Sequence, residues 1–262
     1  MKQIALDRFG IDEIISLYKD KSVIKVLQGI RRSGKSFMLE LLSRKIMEKG
    51  AAENQILLLN MEDFENAELL DTKKLYDFIK SKSEAAGGKK LYLFLDEVQE
   101  VSGWEKLVNS LYSSATIDAD IYITGSNANL LSSELATYLS GRYVLIHVWP
   151  LSYREFLYFN SENDSAAAFR KFIEFGGFPG LKDMMENPVQ IRSYLEGIYS
   201  TVLLKDVIAR NRIRDTAVLE KIILYIAGQH REHFFHKTNF RLHEVRRPPA
   251  FRGDNLQRHK IS

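Results

Sequence analysis

Cysteine is absent from this chain. Disulfides are therefore excluded, and the absence agrees with a reducing compartment. Long apolar runs are also missing: nothing approaches the ~20 residues of a membrane-spanning helix. The first twenty residues are broken by Lys2, Asp7, Arg8, Asp12, Glu13 and Lys19, unlike a secretory leader. The expectation is a soluble, cytoplasmic protein without a membrane partner. Net charge is nearly absent too, with 37 basic residues against 34 acidic ones. That balance is a sum of unlike parts. Residues 1–228 hold 29 basic and 31 acidic residues, whereas residues 229–262 hold eight and three, five of the six histidines and two of the five prolines. What remains is ordinary globular material: 262 residues, 45% apolar and 27% charged, enough for one large or two modest domains with a sizeable core.

Against this background one octapeptide stands out, Gly29-Ile30-Arg31-Arg32-Ser33-Gly34-Lys35-Ser36. Glycines at its first and sixth positions let successive backbone N–H groups curl around an anion, and the lysine neutralises terminal phosphate charge. Its surroundings suit that chemistry. Val23-Ile24-Lys25-Val26-Leu27 reads as a buried strand before it, and Phe37, Met38, Leu41, Leu42 and Ile46 follow at helical spacing until Gly50. The helix adds its N-terminal dipole to the anion site. Nucleotide contacts are expected from Gly29, Ile30, Arg31, Arg32, Ser33, Gly34, Lys35, Ser36 and Phe37.

A second signal lies about sixty residues further on. Leu91-Tyr92-Leu93-Phe94-Leu95 is a fully apolar strand ending in Asp96-Glu97. Two carboxylates at the carboxyl end of a parallel strand sit where such sheets bind ligands. The pairing with a lysine loop predicts magnesium held by Ser36 and Asp96, ATP as substrate, and Glu97 as the base that takes a proton from water. Glu62 and Asp63 end another candidate strand, where they either help order metal-bound water or simply solvate a loop.

Strands are expected over residues 55–60, 121–124 and 143–148 as well. Helices are expected over 72–82, 104–114 and 129–139 between them. The alternation, with right-handed crossovers, predicts an α/β fold: a five-stranded parallel sheet with helices on both faces. Residues 151–228 read as a smaller, largely helical unit, with segments at 153–159, 166–175, 189–209 and 216–227 and a Gly176-Gly177-Phe178-Pro179-Gly180 corner.

Residues 1–228 resemble the AAA-type P-loop ATPases, most of all a bacterial and archaeal subgroup in which a further C-terminal domain usually follows. The resemblance rests on the lysine loop, Leu95-Asp96-Glu97-Val98-Gln99 with Trp104, Thr124-Gly125-Ser126-Asn127, Ser140-Gly141-Arg142-Tyr143, Pro150-Leu151-Ser152-Tyr153-Arg154-Glu155-Phe156 and the glycine-rich corner. It implies that the strand carrying Ser126 lies between the lysine-loop strand and the Asp96 strand, with Ser126 or Asn127 sensing the γ-phosphate. It also implies that the helical unit caps the nucleotide, and that oligomers occur. Arg142 is a candidate arginine finger, acting in cis or on a neighbouring subunit, with an ion pair or strand-end cap as the alternative.

Two other functions are compatible with these motifs: a nucleotide-switched module that binds DNA or protein with little turnover, and a P-loop kinase acting on a small acceptor. The adjacency of Asp96 and Glu97 and the polar tip at Ser126 favour water as the acceptor. The basic end, where apolar periodicity stops, admits three readings: a nucleic-acid-binding arm using Arg241, Arg246, Arg247, Arg252 and Arg258; a weak histidine site at His230, His233 and His236; or an out-of-frame or truncated end.

Overall fold

A computed structural model of the chain describes residues 10–126, 139, 141–202, 207–208, 213 and 215–229. The chain divides into two compact units, Met1–Ile213 and Arg214–Ser262. In the first, a short helix α1 (Ile11–Tyr18) precedes β1 (Ile24–Gly29), α2 (Lys35–Glu48), β2 (Ile56–Asn60), α3 (Thr72–Ala85), β3 (Leu91–Asp96), α4 (Trp104–Tyr112), β4 (Ala119–Ser126) and β5 (Tyr143–His147). Three helices follow, α5 (Tyr153–Asn160), α6 (Ala166–Phe175) and α7 (Pro188–Thr201). The helix α8 (Thr216–Gln229) belongs to the second unit.

All strand pairings are parallel and the order is β2-β3-β4-β1-β5. The strand after α4 therefore inserts between the lysine-loop strand and the acidic strand, as the resemblance implies. Successive strand residues face opposite ways, which divides the core in two. Ile24, Val26, Leu91, Leu93, Leu95, Ile121 and Ile123 pack with Leu75 and Ile79 of α3 and Leu107, Val108 and Leu111 of α4. Leu27, Phe94, Tyr122 and Ile146 pack under Leu39, Leu42 and Ile46 of α2 and Ile11 and Ile15 of α1. Helix α1 has no counterpart in the sequence-based expectations. Its sequence does carry the pattern, Ile11, Ile14, Ile15 and Tyr18 at i, i+3, i+4 and i+7, and in the structure the first and third are buried in the second core with the other two packed against it.

At the amino-terminal end of the sheet an ion pair is buried completely. Lys25 Nζ meets Asp120 Oδ1, with side chains 0% and 1% exposed, and also donates to the Lys21 carbonyl at 2.9 Å. The other oxygen of Asp120 accepts from the Tyr122 hydroxyl at 3.1 Å and the Asp20 amide at 2.9 Å. Desolvation pulls the Lys25 proton affinity below its ordinary value, against the attraction of Asp120, and burial together with Asp120 pushes Tyr122 far above its own.

The helical segment has its own signals. Ser152 and Glu155 form a capping box at α5: the Ser152 amide donates to Glu155 Oε2 at 2.8 Å and the Glu155 amide to Ser152 Oγ at 3.4 Å. Asn187 caps α7, accepting from the Val189 and Gln190 amides at 3.1 and 3.3 Å, with Pro188 in the first helical position. Gly177 is required by closeness: a Cβ there would lie 2.1 Å from the Leu151 carbonyl oxygen, and the Leu151 amide donates to the Gly177 carbonyl at 2.7 Å. The corner thus docks on the segment leaving the sheet. The regular part of the helix expected over 189–209 ends at Thr201. The helix expected over 129–139 lies outside the described residues except for Leu139, which is buried in the first core.

Candidate active site

The phosphate loop leaves β1 at Gly29 and enters α2 at Lys35. A Cβ on Gly29 would fall 2.2 Å from the Val148 carbonyl oxygen and 2.7 Å from Ser33 Oγ, so only glycine lets the loop start this close to the chain after β5. Gly34 has φ 93° and caps α2 in the left-handed region, a geometry that strains any residue with a Cβ. Arg32 accepts such strain at φ 63°, and its guanidinium lies 4.8 Å from the Tyr194 ring of α7. Phosphate loop and helical segment are therefore in contact through this cation–π pair. The Tyr194 hydroxyl also abuts Gly180, where a Cβ would be 2.1 Å away.

Lys35 is only 5% exposed. Its ammonium group donates to the carbonyls of Gly29 at 3.2 Å and Ile30 at 3.4 Å, and stands 3.8 Å from Glu97 Oε1. These contacts hold a buried cation at the mouth of the sheet. Ser36 is exposed in the first turn of α2, Ser33 is buried, Phe37 packs against the second core, and Arg31 lies close enough to Glu62 to favour its charge.

Asp96, 3% exposed, ends β3 on the face covered by α2. Thr124 Oγ1 donates to Asp96 Oδ1 and accepts the Glu97 amide at 3.0 Å. One hydroxyl from the middle strand thus ties the two acidic positions together. Thr124 was read from the sequence as part of a motif but was given no role; its signal was a polar residue near the carboxyl end of β4, directly after the apolar Ile121-Tyr122-Ile123. Glu97 has φ 50° and starts a short 3-10 turn, Val98–Glu100, in which Gln99 Nε2 donates to Glu97 Oε2 at 2.6 Å. Partial desolvation, then the neighbouring Glu97 and Glu100 carboxylates, raise the proton affinity of Glu62 above the usual carboxylate value against the pull of Arg31. Asp63 is a cap, accepting the Glu65 amide at 3.1 Å.

The structure brings together the loop, Lys35, Asp96 and Glu97. The Ser126 backbone pairs with Gly29 at the end of β4, and Asn127 lies outside the described residues. Arg142 is elsewhere. The Ile24 amide, at the start of β1, donates to its carbonyl at 2.8 Å, and its guanidinium lies 5.6 Å from the Tyr112 ring with Nη1 3.4 Å from Ser113 Oγ. Five strand residues, about 16 Å, separate that end of β1 from Gly29. The basic residues and histidines of 230–262 lie outside the described residues.

An oxygen-only donor set of Ser36 hydroxyl and Asp96 carboxylate matches magnesium, which takes few protein ligands and leaves other positions to phosphate and water. No cluster of three or more His, Cys, Asp or Glu that could hold a metal by itself occurs among the described residues.

A parallel sheet of this order, with a lysine loop after β1 and an acidic pair after β3, defines an AAA-type P-loop ATPase fold. The chain belongs to the AAA-domain family, whose model, described as AAA domain, matches residues 21–157, just over half of it. Relatives include an uncharacterised protein of Haemophilus influenzae, 40% identical over 231 residues that make up 87% of this chain and 56% of that one. An uncharacterised protein of Methanocaldococcus jannaschii is 31% identical over 220 residues, 77% of this chain and 46% of that one. The chain thus spans about half the length of these relatives. Among solved structures, AMPPCP-bound DnaA from Aquifex aeolicus aligns with 83% of this chain and 67% of its own at 15% identity and a TM-score of 0.43. PCH-2 of C. elegans aligns with 66% and 46% at 14% identity and a TM-score of 0.41. No helix among the described residues is long and apolar enough to cross a membrane.

Proposed function

We propose that the chain hydrolyses ATP with magnesium and converts the cycle into movement of its helical segment. The observation that carries this reading is the buried Lys35 ammonium held between the loop carbonyls and Glu97, beside a carboxylate pair fixed across strands by Thr124. Lys35 and the loop N–H groups bind the β- and γ-phosphates. Ser36 and Asp96 would hold magnesium, which when bound neutralises charge on the phosphate oxygens. Glu97 takes a proton from water, and the water oxygen bonds to the γ-phosphorus. The bond from that phosphorus to the bridging oxygen breaks, its electron pair leaving with ADP, and inorganic phosphate is the second product. Ser126 or Asn127 senses the γ-phosphate from the end of β4.

Residues 151–228 serve as the lid, and the Arg32–Tyr194 contact supports the coupling of loop to helices. Arg142, at the far end of β1 from its own loop, is better placed for a finger role on the nucleotide of a neighbouring copy than on its own. The partner moved by the lid is DNA or another protein.

The reading is tested by magnesium-dependent phosphate release from ATP, with and without duplex DNA, in the wild type and in Glu97→Gln. The expected result is turnover in the wild type and a loss of about 100-fold or more in the variant with ATP binding retained. Stimulation by DNA identifies that partner. Binding without turnover in either protein overturns hydrolysis in favour of a nucleotide-switched module, and a phosphorylated acceptor in place of free phosphate would make the protein a kinase.

A further inference from the structure

We propose that Gln99 is a positioning residue for the general base, holding one oxygen of Glu97 so that the other is the one presented to water. The inference rests on the hydrolytic reading above. Glu97 has two oxygens with different neighbours. Oε2 accepts from Gln99 Nε2 at 2.6 Å, and Oε1 faces Lys35 at 3.8 Å. A carboxylate only accepts hydrogen bonds, so the amide must turn its NH2 group toward it. The carbonyl end is then committed to the other side, where Gln99 Oε1 is buried with no hydrogen-bond partner among the described residues. A buried acceptor left unmet destabilises a fold, and an apolar side chain of the same length would remove it. The amide is therefore kept at a cost in stability for the sake of its donor.

The local backbone supports the same assignment. Glu97 sits at φ 50°, a conformation unfavourable for a residue with a side chain, and its amide is tied to Thr124 Oγ1. Val98, fully buried, anchors the 3-10 turn that brings Gln99 back over Glu97. The backbone is thus fixed by Thr124 and Val98, and the carboxylate rotamer by Gln99. When ATP draws Lys35 onto its phosphates, Oε1 loses its ammonium neighbour and becomes the free acceptor for the water proton. Gln99 keeps the group from rotating after it.

The test compares wild type, Gln99→Met, Glu97→Gln and the double variant in single-turnover hydrolysis of ATP with magnesium, with ATP affinity from calorimetry and melting temperature alongside. Gln99→Met is expected to slow the chemical step by about 10- to 100-fold with affinity within about twofold of wild type and an unchanged or raised melting temperature. In the Glu97→Gln background the same substitution is expected to cause no further loss, because Gln99 acts through the base. Wild-type turnover with a fully active Gln99→Met, an equal loss of affinity, or a further multiplicative loss in the double variant overturns the inference and leaves the hydrolytic reading standing. A wild type without turnover overturns both.

Discussion

The two ends of this sheet each place a lysine against a carboxylate, and the pairs are built for opposite purposes. At the amino-terminal end Lys25 and Asp120 are 0% and 1% exposed and close, the second oxygen of Asp120 accepts from the Asp20 amide and the Tyr122 hydroxyl, and Lys25 also donates to the Lys21 carbonyl. At the carboxyl end Lys35 and Glu97 are 4% and 13% exposed, stand 3.8 Å apart, and Lys35 reaches its two loop carbonyls only at 3.2 and 3.4 Å. The first pair is enclosed, with almost no exposed surface for a ligand to reach. The second is more exposed and its charges stand further apart, while left-handed backbone occurs at both ends, at Asp20 beside the first pair and at Arg32 and Glu97 around the second.

Substitutions at the two lysines should separate these roles. Lys25→Met leaves Asp120 as an uncompensated buried charge, and the expected loss is about 3–5 kcal/mol of folding stability. Calorimetric melting would show it as a drop of roughly 10 °C for a chain of this size. If stability is unchanged, the buried-pair account fails.

Lys35→Met should do the reverse. ATP affinity is expected to fall about 100-fold, near 2.7 kcal/mol, by titration calorimetry, with melting temperature held or raised because a cation in a strained site is removed. A large loss of stability there would erase the contrast between the ends.

Thr124→Val tests the link inside the active end. Its hydroxyl joins Asp96 to the Glu97 amide, so the substitution leaves a buried carboxylate and an amide each short of a partner. A loss of about 1–3 kcal/mol by denaturant titration is expected, together with reduced turnover.

The smallest effect is expected at Ser152→Ala, away from both lysines. Loss of the α5 capping box should lower stability by about 1 kcal/mol without altering ATP affinity.

Much of this was legible in the sequence because the signals are short in range. The five strands are mainly apolar runs, and each was found within a few residues of its observed limits, as with Leu91–Asp96 and Tyr143–His147. The Ser152 to Glu155 box is a four-residue pattern, and the phosphate loop carries its conformation in its own glycines. The AAA-type resemblance supplied the strand order, which no local pattern states. Helix α1 was legible in the spacing of Ile11, Ile14, Ile15 and Tyr18 and was passed over, whereas the corner at Gly177 revealed its glycine requirement only through contact with Leu151.

By itself the sequence determined the elements, the anion-binding loop and the carboxylate pair, since each depends on side-chain spacing along a few residues of chain. The tertiary structure alone decided that Thr124 is the hydroxyl shared by Asp96 and the Glu97 backbone, that Lys25 finds Asp120 across 95 residues, that Arg32 rests on Tyr194, and that Arg142 stands at the wrong end of β1 for its own phosphate loop. Those pairings are set by strand order and register, which bring distant positions to one level of the sheet, and hydrogen bonds and charge contacts act only over the few ångströms that such registration fixes.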